Sequence, residues 1–195
     1  MRVLYLWSIL ASTYAGCSKK CDTKTKSSFE FSKGKVASYW RNKNFKEIGK
    51  KDSKIEIVSF YNHGNSENGD DYFCFIDQSA TNFACGGDKF CKDREKIYTL
   101  GGQFYSHRSD IDQVADNEIV FDDANDWNCG NDAENYEKSS FDVLDSIFNT
   151  FLNKTVYPNL KVLNIAGHSG GGQLVGRYSL ASKLADDVEI NYRPF

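Results

Sequence analysis

An apolar run that leads directly into a glycine-rich turn is the feature that most constrains this 195-residue chain. Residues 160–166 read LKVLNIA, a nearly continuous apolar stretch of strand length, which is typical of a parallel strand covered on both faces. The run continues into GHSGG at residues 167–171 and then into residues 173–184, where apolar side chains recur at helical spacing. A strand, a sharp turn and a helix in this order predict an α/β layer with right-handed crossovers.

Segments before and after this unit extend the α/β pattern. Residues 55–60 form a β-branched run closed by the turn-forming residues 62–65, which predicts a buried strand that ends in a loop. Residues 139–142 have the spacing of a helix capping box, and apolar residues then recur every three or four positions until Pro158, which is expected to end the helix. Residues 188–192 predict the next parallel strand. Shorter strand-like runs lie at residues 72–76, 96–100 and 118–121.

The turn at residues 167–171 fits the G-x-S-x-G pattern of a nucleophile elbow, and its position between a strand and a helix supports that interpretation. Ser169 on such a turn exposes its hydroxyl above the sheet, and small neighbours permit the strained backbone. The amide of Gly170 can donate to an oxyanion, as acyl transfer requires. His63 and Gly64 follow an earlier predicted strand, where the second donor of an oxyanion hole is expected.

Other interpretations of these residues remain open. A glycine-rich turn can simply let a strand and a helix pack closely, and a phosphate-binding loop would use similar glycines but also a Lys that is missing here. His63 can likewise be a residue that only caps its loop. We expect His168 to position the turn and His107 to lie in a surface loop.

With these features the chain resembles the α/β-hydrolase fold, and within it a group of secreted fungal hydrolase-like proteins. The matching segments are residues 55–65, the SSFDVLD helix start at residues 139–145, and residues 164–177, and the resemblance covers residues 54–192. It implies a mostly parallel sheet with flanking helices. It also implies that Ser169 is the nucleophile, that Gly170 and the loop of His63 and Gly64 form the oxyanion hole, and that the substrates are small-molecule or lipid esters.

The sequence departs from that fold after the turn. In α/β-hydrolases the acid and the histidine of the triad follow the serine, but the 24 residues from Gly172 to Phe195 contain no histidine. We therefore expect a hydrolase domain that is incomplete after the helix that follows the turn. His63 or His107 as a non-standard base is one alternative. A non-catalytic secreted binding protein that keeps the turn for structural reasons is the other hypothesis.

The first residues predict export from the cell. A charged start and the apolar run 3–11 precede small residues that suit cleavage after Ala15, so residues 1–15 are a predicted signal peptide, with a lipobox ending at Cys17 as the alternative. Asn153 begins a glycosylation sequon. We expect a secreted, extracellular protein without a transmembrane segment.

An even number of cysteines in an exported chain favours disulfides, although the sequence alone does not choose the pairing. Short spacing suggests local loops that join Cys17 to Cys21 and Cys85 to Cys91. All six cysteines follow the cleavage point and are disulfide candidates: Cys17, Cys21, Cys74, Cys85, Cys91 and Cys129. Their spacing does not match a zinc site, the acidic stretch 122–128 does not match a calcium loop, and no cofactor is predicted.

Charge is distributed unevenly along the chain. Residues 1–54 carry 13 Lys and Arg against 4 Asp and Glu, whereas the whole chain has a net charge of −3. This small net charge gives no overall field for binding nucleic acid, and contact of the basic segment with a membrane or polyanion is the weaker alternative to a solvated surface. Because residues 17–53 lack periodicity, we expect residues 16–53 to form an extended basic segment before a partial hydrolase domain at residues 54–195.

Overall fold

The computed structural model describes residues 21–85, 92–107, 114–185 and 187–195. Its central sheet consists of six strands: β1 (Lys24–Ser32), β2 (Lys35–Asn42), β3 (Ile57–Asn62), β4 (Ile97–Gln103), β9 (Val162–Gly167) and β10 (Glu189–Pro194). Their order in the sheet is β1-β2-β4-β3-β9-β10. The strands β4, β3, β9 and β10 are parallel, and β1 and β2 add antiparallel pairs at one edge. The expectation of a mixed α/β fold with a mostly parallel sheet is therefore confirmed.

Four α-helices lie within the described ranges: α1 (Gly69–Cys85), α2 (Ala124–Cys129), α3 (Ser140–Leu152) and α4 (Gly170–Ala181). A 3₁₀-helix spans Lys92–Lys96. The short strands β5 (Tyr105–Ser106) and β6 (Val120–Phe121) pair in parallel, and β7 (Asp132–Ala133) and β8 (Tyr136–Ser139) pair antiparallel. No helix in the described part of the chain combines the length and the apolar character needed to cross a membrane.

Helices cover both faces of the parallel strands. On one face, α1 packs on the sheet through a small buried cluster of Tyr61, Tyr72, Ile76 and Ala166. On the opposite face, α3 and α4 contribute to the main core, where the ring of Phe148 meets Phe60 edge to face at 5.3 Å between centroids. Because both faces are covered, all six residues of β9 are buried, as its continuous apolar run predicts.

The predicted start of α3 is confirmed in detail. Ser139 is the N-cap residue; its hydroxyl accepts a hydrogen bond from the N–H of Asp142, and the carboxylate of Asp142 accepts one from the N–H of Ser139. The helix ends at Leu152 and not at Pro158, because Asn153 already has an extended backbone with ψ of 104°. The strands predicted around residues 55–60, 96–100, 160–166 and 188–192 are present as β3, β4, β9 and β10, with ends shifted by one to three residues.

Residues 72–76 are helical and not a strand, which corrects the prediction. They belong to α1, where Phe73, Ile76 and Ala80 are buried at helical steps of three and four. The run YFCFI favours a strand by local propensity, but Asp70 and Asp71 in the first turn suit the positive end of a helix dipole. Burial of one helical face against the sheet decides the conformation.

The basic segment is more ordered than its sequence indicates. Residues 24–42 form the hairpin of β1 and β2, and β2 pairs with β4, so this segment belongs to the same sheet as the strands after residue 54. The alternation of polar and apolar residues expected of a strand is obscured in β1 because lysines stand at positions that face other parts of the protein. Lys24 pairs with Asp70 at 2.6 Å, and the ammonium of Lys26 lies 5.0 Å from the centroid of the Tyr105 ring.

A disulfide joins Cys21 to Cys74 across 53 residues of sequence and ties the start of the hairpin to α1. The predicted local pair of Cys17 with Cys21 is therefore wrong, because the position of β1 brings Cys21 to the helix. Cys129 has a free, exposed thiol, which corrects its place among the disulfide candidates. Cys17 and Cys91 lie outside the described residues, and so does the predicted pair of Cys85 with Cys91.

The acidic stretch 122–128 builds a capped helix. Asp123 is the N-cap residue of α2, and its N–H donates to the carboxylate of Asp126 at 3.1 Å. Trp127 in the same helix is fully buried and stacks on Phe104 at 6.0 Å between ring centroids. The acidic residues are thus accounted for by helix capping, and the helix places an indole in the core.

Candidate functional site

The loops that follow β3 and β9 leave the sheet side by side. The two strands are parallel neighbours whose register pairs Asn62 with Gly167, so both loops begin at the same level. The chain passes from β3 through α1 to β4 on one side, and from β9 through α4 to β10 on the other side. Such a reversal of direction opens a crevice at the carboxyl ends of the strands, where open α/β sheets bind ligands.

Ser169 occupies the sharp turn between β9 and α4. Its φ of 56° and ψ of −120° lie outside the regions that residues with a Cβ favour, and its side chain makes no helix-capping hydrogen bond. The residue is exposed at the start of the helix. A Cβ on Gly167 would collide with the backbone of Gly171, so glycine at this position lets the strand and the helix approach each other.

Gly64, in the loop after β3, lies directly beside Ser169. A Cβ added to Gly64 would be 3.3 Å from the Cβ of Ser169 and 3.5 Å from the carbonyl oxygen of His168. Gly170 begins α4, where the helix dipole favours a negative charge. The structure thus brings Ser169, Gly64 and Gly170 together, as the sequence analysis grouped them.

His63 is fully buried, and its ring holds the loop in place. Its Nε2 accepts a hydrogen bond from the N–H of Phe104 at 2.9 Å, so the proton of the neutral ring lies on Nδ1, which donates to the carbonyl oxygen of Gly64 at 2.7 Å. Burial lowers the pKa of His63, although the bond to Gly64 and the charge of Glu67 oppose this. A neutral ring with both nitrogens engaged cannot take a proton from Ser169 in this arrangement, which argues against His63 as the base.

The other two histidines have partners of their own. His168 is half-buried and stacks on Tyr72, whose hydroxyl lies 3.0 Å from Nδ1 of His168. This contact ties the turn to α1, as a positioning role for His168 requires. His107 is exposed and pairs through Nε2 with Glu134 at 2.5 Å, in line with a surface residue. Tyr72 was missed by sequence reasoning because its segment has the composition of a strand.

The residue after β10 braces the turn as well. The N–H of Ser169 donates to the backbone oxygen of Phe195 at 2.9 Å, and the N–H of Phe195 donates to the carbonyl oxygen of Gly167 at 2.9 Å. A Cβ on Gly172 would collide with the backbone of Phe195. The unusual backbone of Ser169 is therefore held by the residue that follows β10, a contact for which the sequence contains no signal.

The predicted glycosylation residue lies at the end of α3. Asn153 is exposed, and its side-chain oxygen accepts hydrogen bonds from the N–H and the hydroxyl of Thr155 at 2.9 and 2.8 Å. The sequon is thus presented at the surface, and its glycosylation stays a prediction. Within the described ranges, no three or more His, Cys, Asp or Glu side chains are grouped as they would be to hold a metal ion.

Comparison with known proteins gives one weak structural likeness. No family model matches the chain, and a search of curated proteins finds no significant match. Among solved structures, the siderophore hydrolase EstB from Aspergillus nidulans is similar with a TM-score of 0.35 and 11% sequence identity. The alignment covers 81% of this chain and 51% of that one, so the chain spans about half the length of the structure it matches.

Proposed function

We propose that this chain is a serine hydrolase of the α/β-hydrolase type that cleaves small-molecule or lipid esters through an acyl-enzyme on Ser169. The observation that carries the proposal is the turn itself: an exposed serine with a φ of 56°, at the carboxyl end of a parallel strand and beside Gly64. A turn that served packing alone would fit glycine at lower energetic cost than serine in this conformation.

The proposed reaction begins with attack of the Ser169 hydroxyl oxygen on the carbonyl carbon of the ester. As the bond forms, the carbonyl oxygen takes up negative charge, which the backbone amides of Gly170 and of the loop of His63 and Gly64 stabilise. The intermediate then expels the alcohol, which leaves with the proton that Ser169 released, and the acyl group stays on the serine. Water adds to the acyl carbon and releases the acid and free Ser169.

Two features favour negative charge at this place. The first amides of α4 begin at Gly170, so the helix places partial positive charge next to the oxyanion. The loop after β3 is fixed by the buried ring of His63, so little reorganisation is needed when charge develops.

None of the three histidines is assigned as the base, and an oxyanion hole with substrate binding alone retains about 10³–10⁴-fold acceleration over water. We therefore expect slow turnover from this chain.

We further propose that the protein is secreted, with residues 1–15 as its signal peptide and a glycan on Asn153. The disulfide between Cys21 and Cys74 supports an oxidising compartment, and the exposed sequon is accessible to a glycosyltransferase. Mass spectrometry of the product secreted by a eukaryotic host, before and after enzymatic deglycosylation, tests both parts. A product that begins at Met1 or has no glycan contradicts the corresponding part.

A fluorophosphonate probe tests for an activated serine. The chain, expressed by a secretory route, is treated with the probe alongside Ser169→Ala and Ser53→Ala variants. Ser53 is an exposed serine outside the site and serves as the matched control. We expect labelling of the wild type and of Ser53→Ala, and none of Ser169→Ala. Release of nitrophenol from a short-chain nitrophenyl ester by the same variants measures turnover.

Two results contradict the proposal. A folded, disulfide-bonded wild-type protein that takes up no probe is not a serine hydrolase, and this outcome favours a non-catalytic binding protein that keeps the turn for structural reasons. Labelling that persists in Ser169→Ala places the reactive group elsewhere.

A further inference from the structure

We propose that Glu67 is a positioning residue whose carboxylate holds the β3–α1 loop, residues 63–68, so that the peptide between Gly64 and Asn65 faces the oxyanion formed at Ser169. The inference rests on the proposed function and deepens it, because it assigns what builds the second half of the oxyanion hole. Among the described non-glycine residues, Glu67 with a φ of 54° and Ser169 with a φ of 56° are the two with positive φ.

One of these two residues lies in each loop that borders the crevice. A left-handed backbone is unfavourable for a residue with a Cβ and persists only where the surroundings determine it strongly. Such residues concentrate at functional sites. Glu67 therefore needs a structural cause, and its contacts supply one.

The carboxylate of Glu67 accepts two hydrogen bonds from Ser106. Its Oε1 accepts a hydrogen bond from the hydroxyl of Ser106 at 2.5 Å, and its Oε2 accepts one from the N–H of Ser106 at 3.1 Å. Ser106 is completely buried at the end of β5, so both donors are fixed on the body of the fold. Hydrogen bonds to an ionised carboxylate are among the stronger ones in proteins.

The backbone of Glu67 is bonded on both sides. Its N–H donates to the carbonyl oxygen of Gly64 at 3.0 Å and closes a turn. Its carbonyl oxygen accepts a bond from the side-chain amide of Gln103 at 2.7 Å, and the side-chain oxygen of Gln103 accepts one from the N–H of Gly69 at 3.0 Å. Gln103 is itself buried. The end of β4 and the residues after it thus form a template to which the loop is fixed.

These contacts orient one particular peptide group. The carbonyl oxygen of Gly64 receives hydrogen bonds from the N–H of Glu67 and from Nδ1 of His63. Because the peptide unit is planar and trans, fixing that carbonyl also fixes the N–H of Asn65 in the opposite direction. The side-chain oxygen of Asn65 occupies the space where a Cβ of Gly170 would lie, so the loop passes directly over the start of α4. This geometry points to the Asn65 amide as the partner of the Gly170 amide.

Three variants test the role of the carboxylate. Glu67→Gly accepts the left-handed backbone without strain and removes both bonds to Ser106, whereas Glu67→Gln keeps one acceptor oxygen and serves as the conservative rescue. Glu137→Gly changes an exposed glutamate of β8 and is the matched control. For each variant the fluorophosphonate reaction with Ser169 is separated into its maximal rate constant and its half-saturating probe concentration. Amide hydrogen exchange of residues 62–69 is measured on the same proteins.

We expect the maximal rate constant to fall about 10- to 100-fold in Glu67→Gly, because a displaced oxyanion donor costs on this order. The half-saturating concentration is expected to change less than about twofold, since only the transition state uses the donor. Glu67→Gln should recover most of the loss. Exchange should become faster in residues 62–69 of Glu67→Gly and stay unchanged elsewhere.

The outcomes separate this inference from the proposed function. If the wild type is labelled and Glu67→Gly reacts at the wild-type rate, Glu67 does not position the oxyanion donor. If the folded wild type is not labelled at all, the proposed function fails and a role in catalysis falls with it. Hydrogen exchange then still decides the structural part, because unchanged exchange in Glu67→Gly shows that the carboxylate does not hold the loop.

Discussion

Replacing Ser169 by glycine should stabilise the protein, although it removes the proposed nucleophile. The φ of 56° and ψ of −120° at this position are unfavourable for any residue with a Cβ, and alanine keeps that atom whereas glycine does not. A comparison of Ser169→Gly with Ser169→Ala therefore isolates the strain, because both variants lack the hydroxyl.

The expected magnitude follows from the contacts of Ser169. A residue held in a sparsely populated backbone region costs about 1–3 kcal/mol. Glycine also lowers the free energy of unfolding by about 0.4–1 kcal/mol, because it increases the conformational entropy of the unfolded chain. The side chain is exposed and makes no capping hydrogen bond, so its removal costs little else. We expect Ser169→Gly to be more stable than Ser169→Ala by about 1 kcal/mol.

Urea unfolding of the two variants, followed by tryptophan fluorescence, measures this difference. In a domain of this size 1 kcal/mol corresponds to a shift of about 2–4 °C in Tm, so thermal unfolding provides a second reading. Ser53→Gly and Ser53→Ala form the control pair at an exposed serine without positive φ, where glycine should be the less stable variant. If Ser169→Gly is no more stable than Ser169→Ala, the turn stores no strain and the argument for a functional serine loses its basis.

Three further predictions concern the framework of the site. Replacing Cys21 and Cys74 together by alanine should lower the free energy of unfolding by about 4 kcal/mol, because the bridge closes a loop across 53 residues; urea unfolding that shows a loss under about 1 kcal/mol contradicts this. Gly171→Ala should abolish the folded, secreted product, since its Cβ would collide with the backbone oxygens of Asn62 and His63; Gly176→Ala, whose Cβ would meet only Pro194 at 3.7 Å, is the control that should secrete normally. Burial lowers the pKa of His63 below its unfolded value of about 6.5, so the unfolded chain binds the proton first and stability should fall as the pH decreases below about 6.5. His63→Gln should reduce this dependence of the free energy of unfolding on pH, measured by urea unfolding between about pH 7.5 and pH 5. Both the His63 protein and the His63→Gln variant carry Glu118→Gln, because burial raises the pKa of Glu118 and changes stability in the opposite direction. An equal pH dependence with and without His63 refutes the assignment.

The strand and turn around Ser169 are predictable from sequence because their signals are local. An apolar run and closely spaced glycines specify a buried strand and a tight turn without reference to the rest of the chain. The role of His63, in contrast, cannot be predicted from its neighbours in the sequence. Whether its imidazole is a base or a buried support depends on the N–H of Phe104, 41 residues away. No single-sequence pattern reports that contact.

The backbone conformation of Glu67 is likewise not predictable from the sequence around it. Its left-handed backbone has no signature in the residues beside it, and the partner that explains it, Ser106, is 39 residues distant. The hairpin of β1 and β2 was hidden for a different reason. Its lysines read as a solvated segment, yet Lys24 and Lys26 lie over neighbouring carboxylate and aromatic groups, which is compatible with a strand at the edge of a sheet.

Each of the four parallel strands either carries or holds one of the two loops of this site. β3 and β9 carry the two loops, and their register brings Gly64 and Ser169 to the same level. The flanking strands hold those loops: Gln103 at the end of β4 bonds the backbone around Glu67, and Phe195 after β10 bonds the backbone of Ser169. Glu67 and Ser169 are thus each braced from the strand on the outer side of their loop. Because rigid neighbours maintain such strained backbone, substitutions at the ends of β4 or β10 should change the reactivity of Ser169 without contacting a substrate.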